Sequence, residues 1–171
     1  MTGAGSVRVR PADEADLHRV MALVRTTPYL QCHTEHTYWI LLRYGRRYTY
    51  VAETSEALLG YASGVRSNVS PELFFLWQMV VAEHHRRSGI AMALLQALTA
   101  TAAADGCDEF HAAVAADNHQ ALGLLERWAS QTGRTMEAGQ EIVYTADDGP
   151  SAEPRTVTEQ LTIIRSAGGH S

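Results

Sequence analysis

An α/β fold is predicted by three features of this 171-residue chain. Segments of strand and helix pattern follow one another in the order β-α-α-β-β-β-α-β-α-β-β. A dense apolar run, Leu73–Val81, reads as a central strand covered on both faces. That run stops at a short polar hinge, and a glycine-containing turn then opens directly into an Ala/Leu-rich segment. Leu73–Ala91 therefore reads as strand, anion-binding turn and helix. Such a turn exposes backbone N–H groups at the positive end of a helix dipole, where a phosphate or pyrophosphate is favoured.

The elements are justified in order. Val7–Arg10 alternates apolar and charged residues, as a short strand does. Asp13 opens a helix to about Thr26, with Asp16 in a capping-box position and Leu17, Val20, Leu23 and Val24 on one face. Pro28 ends it. After the polar, irregular stretch Tyr29–His36, Thr34–Arg43 reads as a second short helix presenting Tyr38, Leu41 and Leu42. Arg47–Glu53 and Leu58–Arg66 read as a hairpin, with Gly60 and Gly64 as bulge positions. Gly89–Ala104 is a helix whose Ile90, Leu94, Ala97, Leu98 and Thr101 stripe implies close packing on a sheet. Phe110–Ala115 is the next strand. Asn118 caps a helix ending near Thr132 and Gly133. Gln140–Thr145 and Gln160–Arg165 are the final strands, and Ala146–Arg155 between them is expected to be a mobile loop. With neither repeats nor an interdomain linker, residues 1–165 are expected to form a single domain and 166–171 a disordered tail.

Composition narrows the function. A hydrophobic fraction of 46% and a charged fraction of 19% suit a soluble globular protein. The net charge of −5 argues against bulk nucleic-acid binding. Cys32 and Cys107 lack metal-ligand spacing, so no metal is expected, and two isolated thiols fit a reducing compartment. The N-terminus has no apolar core of a signal peptide, and no stretch approaches the roughly 18 apolar residues that span a bilayer. A cytoplasmic protein with no membrane or nucleic-acid partner is the expectation.

The turn itself matches neither common nucleotide motif, because there is no GxGxxG and no GxxxxGK[ST]. What stands is Arg86-x-x-Gly89-x-Ala91, after Val80-Val81-Ala82-Glu83-His84-His85 and before the long helix. In that position it resembles the Gln/Arg-x-x-Gly-x-Gly/Ala turn of the GNAT acyltransferase superfamily, which cradles the pyrophosphate of coenzyme A. The resemblance implies a mixed, mostly antiparallel central sheet flanked by helices, with the fourth and fifth strands splayed apart. It implies acetyl-CoA as cofactor, held by backbone and side chains of Arg86, Arg87, Ser88, Gly89, Ile90 and Ala91, by the main chain of Met79, Val80 and Val81, and by Asn118.

Within the superfamily the chain resembles the diaminobutyrate acetyltransferases of ectoine biosynthesis, over roughly residues 7–165. Leu73-Phe74-Phe75-Leu76-Trp77-Gln78-Met79-Val80-Val81 carries the likeness, together with Tyr38, Asn118 and Glu159-x-Leu161. This implies transfer of an acetyl group to a primary amine of a small diamino acid, directly in a ternary complex, by a homodimer. Four departures stand out. Gln31 and His36 occupy positions where that family carries an acidic group and a tyrosine that touch the diamine. Thr156 stands where it carries a histidine, and Leu125 where many superfamily members place the tyrosine that protonates the leaving thiolate.

The chemistry needs a neutral nucleophile, a polarised thioester carbonyl and a protonated leaving thiolate. Proton acceptors for the amine are Glu35, His33, His36 and Glu159, each weighed against a plain surface role. Trp77 is read as stacking on a cationic amine or as a core aromatic. Gln31, His33, Tyr38, Gln78 and Glu159 are read as lining the acceptor side, and Trp77, Glu35, His36 and Glu159 as the catalytic candidates. Acetylation of another metabolite amine or of a protein amine, and a coenzyme A-binding module without turnover, are the alternatives.

Overall fold

The computed structural model describes residues 6–27, 30, 32–146 and 153–167. Strand β1 (Arg8–Pro11) leads through a 3-10 turn at Glu14–Asp16 into helix α1 (Leu17–Arg25), followed by helix α2 (Glu35–Arg43). A second 3-10 turn at Arg46–Tyr48 precedes β2 (Thr49–Glu53), β3 (Leu58–Arg66) and β4 (Leu73–Val81). A third, at Glu83–His85, precedes α3 (Ile90–Ala104). Then come β5 (Glu109–Val114), α4 (His119–Gln131), β6 (Arg134–Ala146) and β7 (Arg155–Ser166). The predicted order of elements is the observed one.

The strands form a mixed seven-stranded sheet in the order β1-β2-β3-β4-β5-β7-β6. Pairing is antiparallel for β1 with β2, β2 with β3, β5 with β7 and β6 with β7, and parallel for β4 with β5. The parallel register sets Leu73–Leu76 against Glu109–Ala112, and β4 runs on past it through Trp77–Val81. That point also divides two compact units, Met1–Val65 with Trp77–Asp105, and Arg66–Leu76 with Gly106–Ser171.

In the first unit the inward faces of α1 and α2 pack with the sheet in a core of Val20, Met21, Val24, Tyr38, Leu42, Val51, Tyr61 and Val80. Helix α3 covers the other face. Neighbouring residues on a strand point to opposite sides, and Gly60, next to Tyr61, is where α3 comes closest. A Cβ on Gly60 would lie 2.8 Å from Leu94 Cδ1 and 3.1 Å from Ile90 Cγ2. The predicted bulge falls one residue earlier, since the register passes from Ala52 opposite Gly60 to Glu53 opposite Leu58 and leaves Leu59 as the extra residue. Gly60 is thus needed for helix-to-strand approach.

The start of α1 is set by charge. Asp13 accepts from the N–H of Ala15 at 2.9 Å, and Asp16 accepts from the N–H of Asp13 at 3.1 Å, which closes the predicted capping box. Asp16 is buried and takes two 2.8 Å bonds from Arg10, whose Nε donates to Glu53 at 2.6 Å. Arg19 joins both carboxylates. One network therefore ties β1, α1 and β2. Arg47 does not open β2 as predicted: it donates to Asp105 at 2.5 and 2.6 Å, and the Tyr48 hydroxyl reaches the same carboxylate at 2.8 Å. These bonds hold a 3-10 turn against the end of α3, and the strand begins at Thr49.

In the second unit Phe110 packs on Phe74 at 6.1 Å and on Trp128 of α4 at 5.1 Å, and the Arg134 guanidinium lies 4.8 Å from the Phe110 ring. Strands β6 and β7 are longer than predicted. A register irregularity between Ala138 and Glu141 shifts the phase of β6 in mid-strand and breaks the alternation that marks a strand in sequence. Of the expected mobile loop, residues 147–152 lie outside the described residues, as do 168–171 of the expected tail.

Burial opposes ionisation of Asp16, and the Arg10 hydrogen bonds outweigh it, holding the carboxyl below its usual range. Its contribution is complete above the unfolded-state pKa and is lost as pH falls through the folded one. Asp16→Asn is expected to lower the unfolding free energy at pH 7 by about 1.5–3 kcal/mol. In urea titrations the gap between the two proteins should close as pH drops below about 4.

Candidate active site

Two arrangements in the first unit coincide with the predicted site residues. One is the turn from β4 into α3. Arg86 is extended at φ −65° and ψ 153°, Arg87 is left-handed at φ 62°, and Gly89 is left-handed at φ 85° as the N-cap of α3. A side chain on Gly89 would meet no atom within 4 Å, so the demand there is for backbone angle rather than space. Gly89 gives no side-chain cap to the helix. The first N–H groups of a helix have no partner within it, and alternating hand in the preceding turn gathers them into an anion-binding concavity. Arg87 and Ser88 are exposed and Arg86 is half-buried, so the turn itself carries two arginines. The Ser88 hydroxyl donates back to the His85 carbonyl, which holds the turn closed. Met79 and Val81 are half-buried, Val80 and Ile90 are buried, and Ala91 lies in the first turn of α3. These residues fit a pyrophosphate-bearing group: N–H donors, a helix dipole and two arginines, with no carboxylate bonded into the turn among the described residues.

The other arrangement is an aromatic and amide cluster. Thr34 caps α2 by accepting from the N–H of Thr37, which turns Tyr38 inward to full burial. Its hydroxyl donates to Gln78 Oε1 at 3.0 Å and accepts from the His33 N–H at 3.4 Å. The His33 ring lies 4.8 Å from Trp77 at an interplanar angle of 34°, and Tyr38 lies 6.0 Å from Trp77. Tyr61 packs against Tyr38 edge-on at 6.1 Å. The structure thus brings together His33, Tyr38, Trp77 and Gln78, four of the residues singled out in sequence.

Electrostatics follow burial. Burial raises the Tyr38 pKa and outweighs the bond from the His33 N–H, so its phenol stays protonated. Burial lowers that of His33, so its imidazole is neutral at pH 7. Tyr61 is fully buried and its hydroxyl is raised furthest. Tyr61 was absent from the sequence reading, since a tyrosine in an apolar strand gives no signal beyond packing.

The remaining candidates stand elsewhere. Glu35 and His36 are exposed on the first turn of α2, where Glu35 suits the helix dipole and His36 lies 5.6 Å from Trp39. In the second unit, Glu159 sits on β7 opposite Ile142; burial raises its carboxyl, offset in part by a bond from Tyr144. Asn118 caps α4 by accepting from the Ala121 N–H at 3.1 Å. Leu125 is buried among the packing residues of that helix. Gln31 lies outside the described residues.

Comparison with known proteins gives these arrangements a context. The sequence profile of the acetyltransferase (GNAT) family matches residues 16–129. The chain is 27% identical over 139 residues to the L-2,4-diaminobutyric acid acetyltransferase of Chromohalobacter salexigens, covering 81% of this chain and 72% of that protein. It is 26% identical over 129 residues to the enzyme of that name from Halomonas elongata, covering 75% and 67%. The solved structure of diaminobutyrate acetyltransferase from Paenibacillus lautus, in complex with L-2,4-diaminobutyric acid and coenzyme A, superposes with a TM-score of 0.85 at 27% identity, over 98% of this chain and 99% of that one.

Gly89→Ala places a Cβ in a left-handed residue and is expected to cost about 1–2 kcal/mol of stability. If the turn relaxes to avoid that strain, its N–H groups turn away from the anion. Calorimetric titration with coenzyme A should then show binding weakened by about tenfold, equivalent to about 1.4 kcal/mol.

Proposed function

Because the chain belongs to the acetyltransferase (GNAT) family, we propose that it transfers the acetyl group of acetyl-CoA to a primary amine of 2,4-diaminobutyrate or a closely similar small diamino acid. The observation that carries this reading is the buried Tyr38–Gln78 hydrogen bond at 3.0 Å beside Trp77, on the strand that runs into the anion-binding turn. The names of the relatives support the choice of amine.

The donor supplies an activated thioester. Arg86, Arg87 and the N–H groups of Ser88–Ala91 hold its pyrophosphate. The main chain of Met79–Val81 aligns the pantetheine, and an N–H of this strand polarises the thioester oxygen, a kind of contact worth about 3–4 kcal/mol in enzymes that use it. Trp77 presents its ring face to the incoming ammonium. The Tyr38 phenol and the Gln78 amide, fixed by each other, set the floor against which the diamino acid is oriented. Acceptor and donor are bound together and transfer is direct, with neither Cys32 nor buried Cys107 carrying an acyl group. The working protein is a homodimer in the cytoplasm.

Thiol release from acetyl-CoA, followed over a panel of amines, tests this reading. Diaminobutyrate should give the highest kcat/KM, with ornithine, lysine, monoamines and peptide amines well below it. A peptide amine as the best substrate, or tight coenzyme A binding with no release from any amine, would replace this reading with one of its alternatives.

A further inference from the structure

We infer that His33 is the base that takes the proton from the acceptor ammonium. This rests on the acetyltransferase reading above and extends it to one residue and one step. Its grounds are geometric. His33 stands just before α2 with its backbone N–H fixed on the Tyr38 hydroxyl and its ring against Trp77 at 4.8 Å. An amine held beside Trp77 therefore lies next to this imidazole. Among the described residues neither ring nitrogen of His33 has a hydrogen bond.

The other candidates are placed less well for this task. Glu35 and His36 lie on the exposed side of the first turn of α2, outside the Tyr38–Gln78–Trp77 cluster. Glu159, on β7, already bonds Tyr144. Among the described residues, the titratable groups next to His33 are Cys32 on its own segment and Tyr38 on α2, whose phenol burial holds protonated, while β4 presents the non-titrating Trp77. Among the described residues no carboxylate is bonded to it, and burial lowers its pKa and favours the neutral ring. A neutral ring can accept a proton.

The imidazole takes one proton from R–NH3+, leaving R–NH2 with a free lone pair. Nitrogen forms the bond to the acetyl carbon as the C–S bond breaks, and the sulfur leaves with the bonding electrons. A second proton from nitrogen ends on sulfur as the free thiol, and the imidazolium releases the first to solvent. The sum is one amide, one thiol and one proton. Base catalysis of this type contributes about 10²–10⁴-fold.

The test combines a pH–rate profile with a direct titration. In the wild-type chain kcat/KM for the diamine should rise with pH through a limb below 6.5, the ordinary imidazole value. The His33 imidazole resonances, followed by NMR on the same protein with coenzyme A present, should titrate at the same midpoint. His33→Gln should lower kcat by about 100-fold or more, abolish that limb, and leave coenzyme A binding within twofold. Retention of the limb with kcat within threefold of wild type, or an NMR midpoint different from the kinetic one, overturns the inference while leaving the acetyltransferase reading intact. A wild-type chain that releases no thiol with any amine removes both.

Discussion

The junction of β4 with α3 organises the first unit. The turn that feeds the strand into the helix reverses hand, at Arg87 and Gly89 with φ 62° and 85°, and so gathers the unpaired first N–H groups of the helix. A non-glycine residue in that region is strained, so packing must hold it there. Gly60 does part of this by letting Ile90 and Leu94 press directly on β3. The close approach fixes where α3 begins, and hence where its positive end points.

The Tyr38–Gln78–Trp77 cluster depends on the same strand. Gln78 is a buried amide, and a buried polar group is costly unless bonded. Tyr38 meets that need from α2, which couples the helix to the strand through one specific bond rather than through apolar packing alone. Thr34 then matters at a distance, because capping α2 at that residue sets the rotation that turns Tyr38 inward. The Arg10–Asp16–Glu53–Arg19 network supports the arrangement from below by holding α1 on β1 and β2.

Much of this was legible in the residues. The span of β4 and the capping residues Asp13 and Asn118 followed from local rules, because caps and apolar runs are local physics. The turn was legible because glycine after arginine at the start of an alanine-rich helix has few other uses. Less local features were hidden. The extent of β6 depends on its pairing with β7 and on a bulge that no single segment reveals. Tyr61 looked like any strand tyrosine, and its place under Tyr38 is a tertiary fact. The difference between His33 and His36 was also invisible in sequence, since both lie in one polar stretch. Helix α2 begins between them and leaves one ring against Trp77 and the other in solvent.

The central claim is that the N–H groups of the β4–α3 turn receive the donor's pyrophosphate. Hydrogen exchange at the individual amides of Ser88, Gly89, Ile90 and Ala91, measured on the full chain with and without coenzyme A, tests it most directly. Exchange should slow at least tenfold at these amides on adding coenzyme A, with the amides of the exposed end of α2 unchanged. Saturating coenzyme A that leaves all four exchange rates as they were would contradict it.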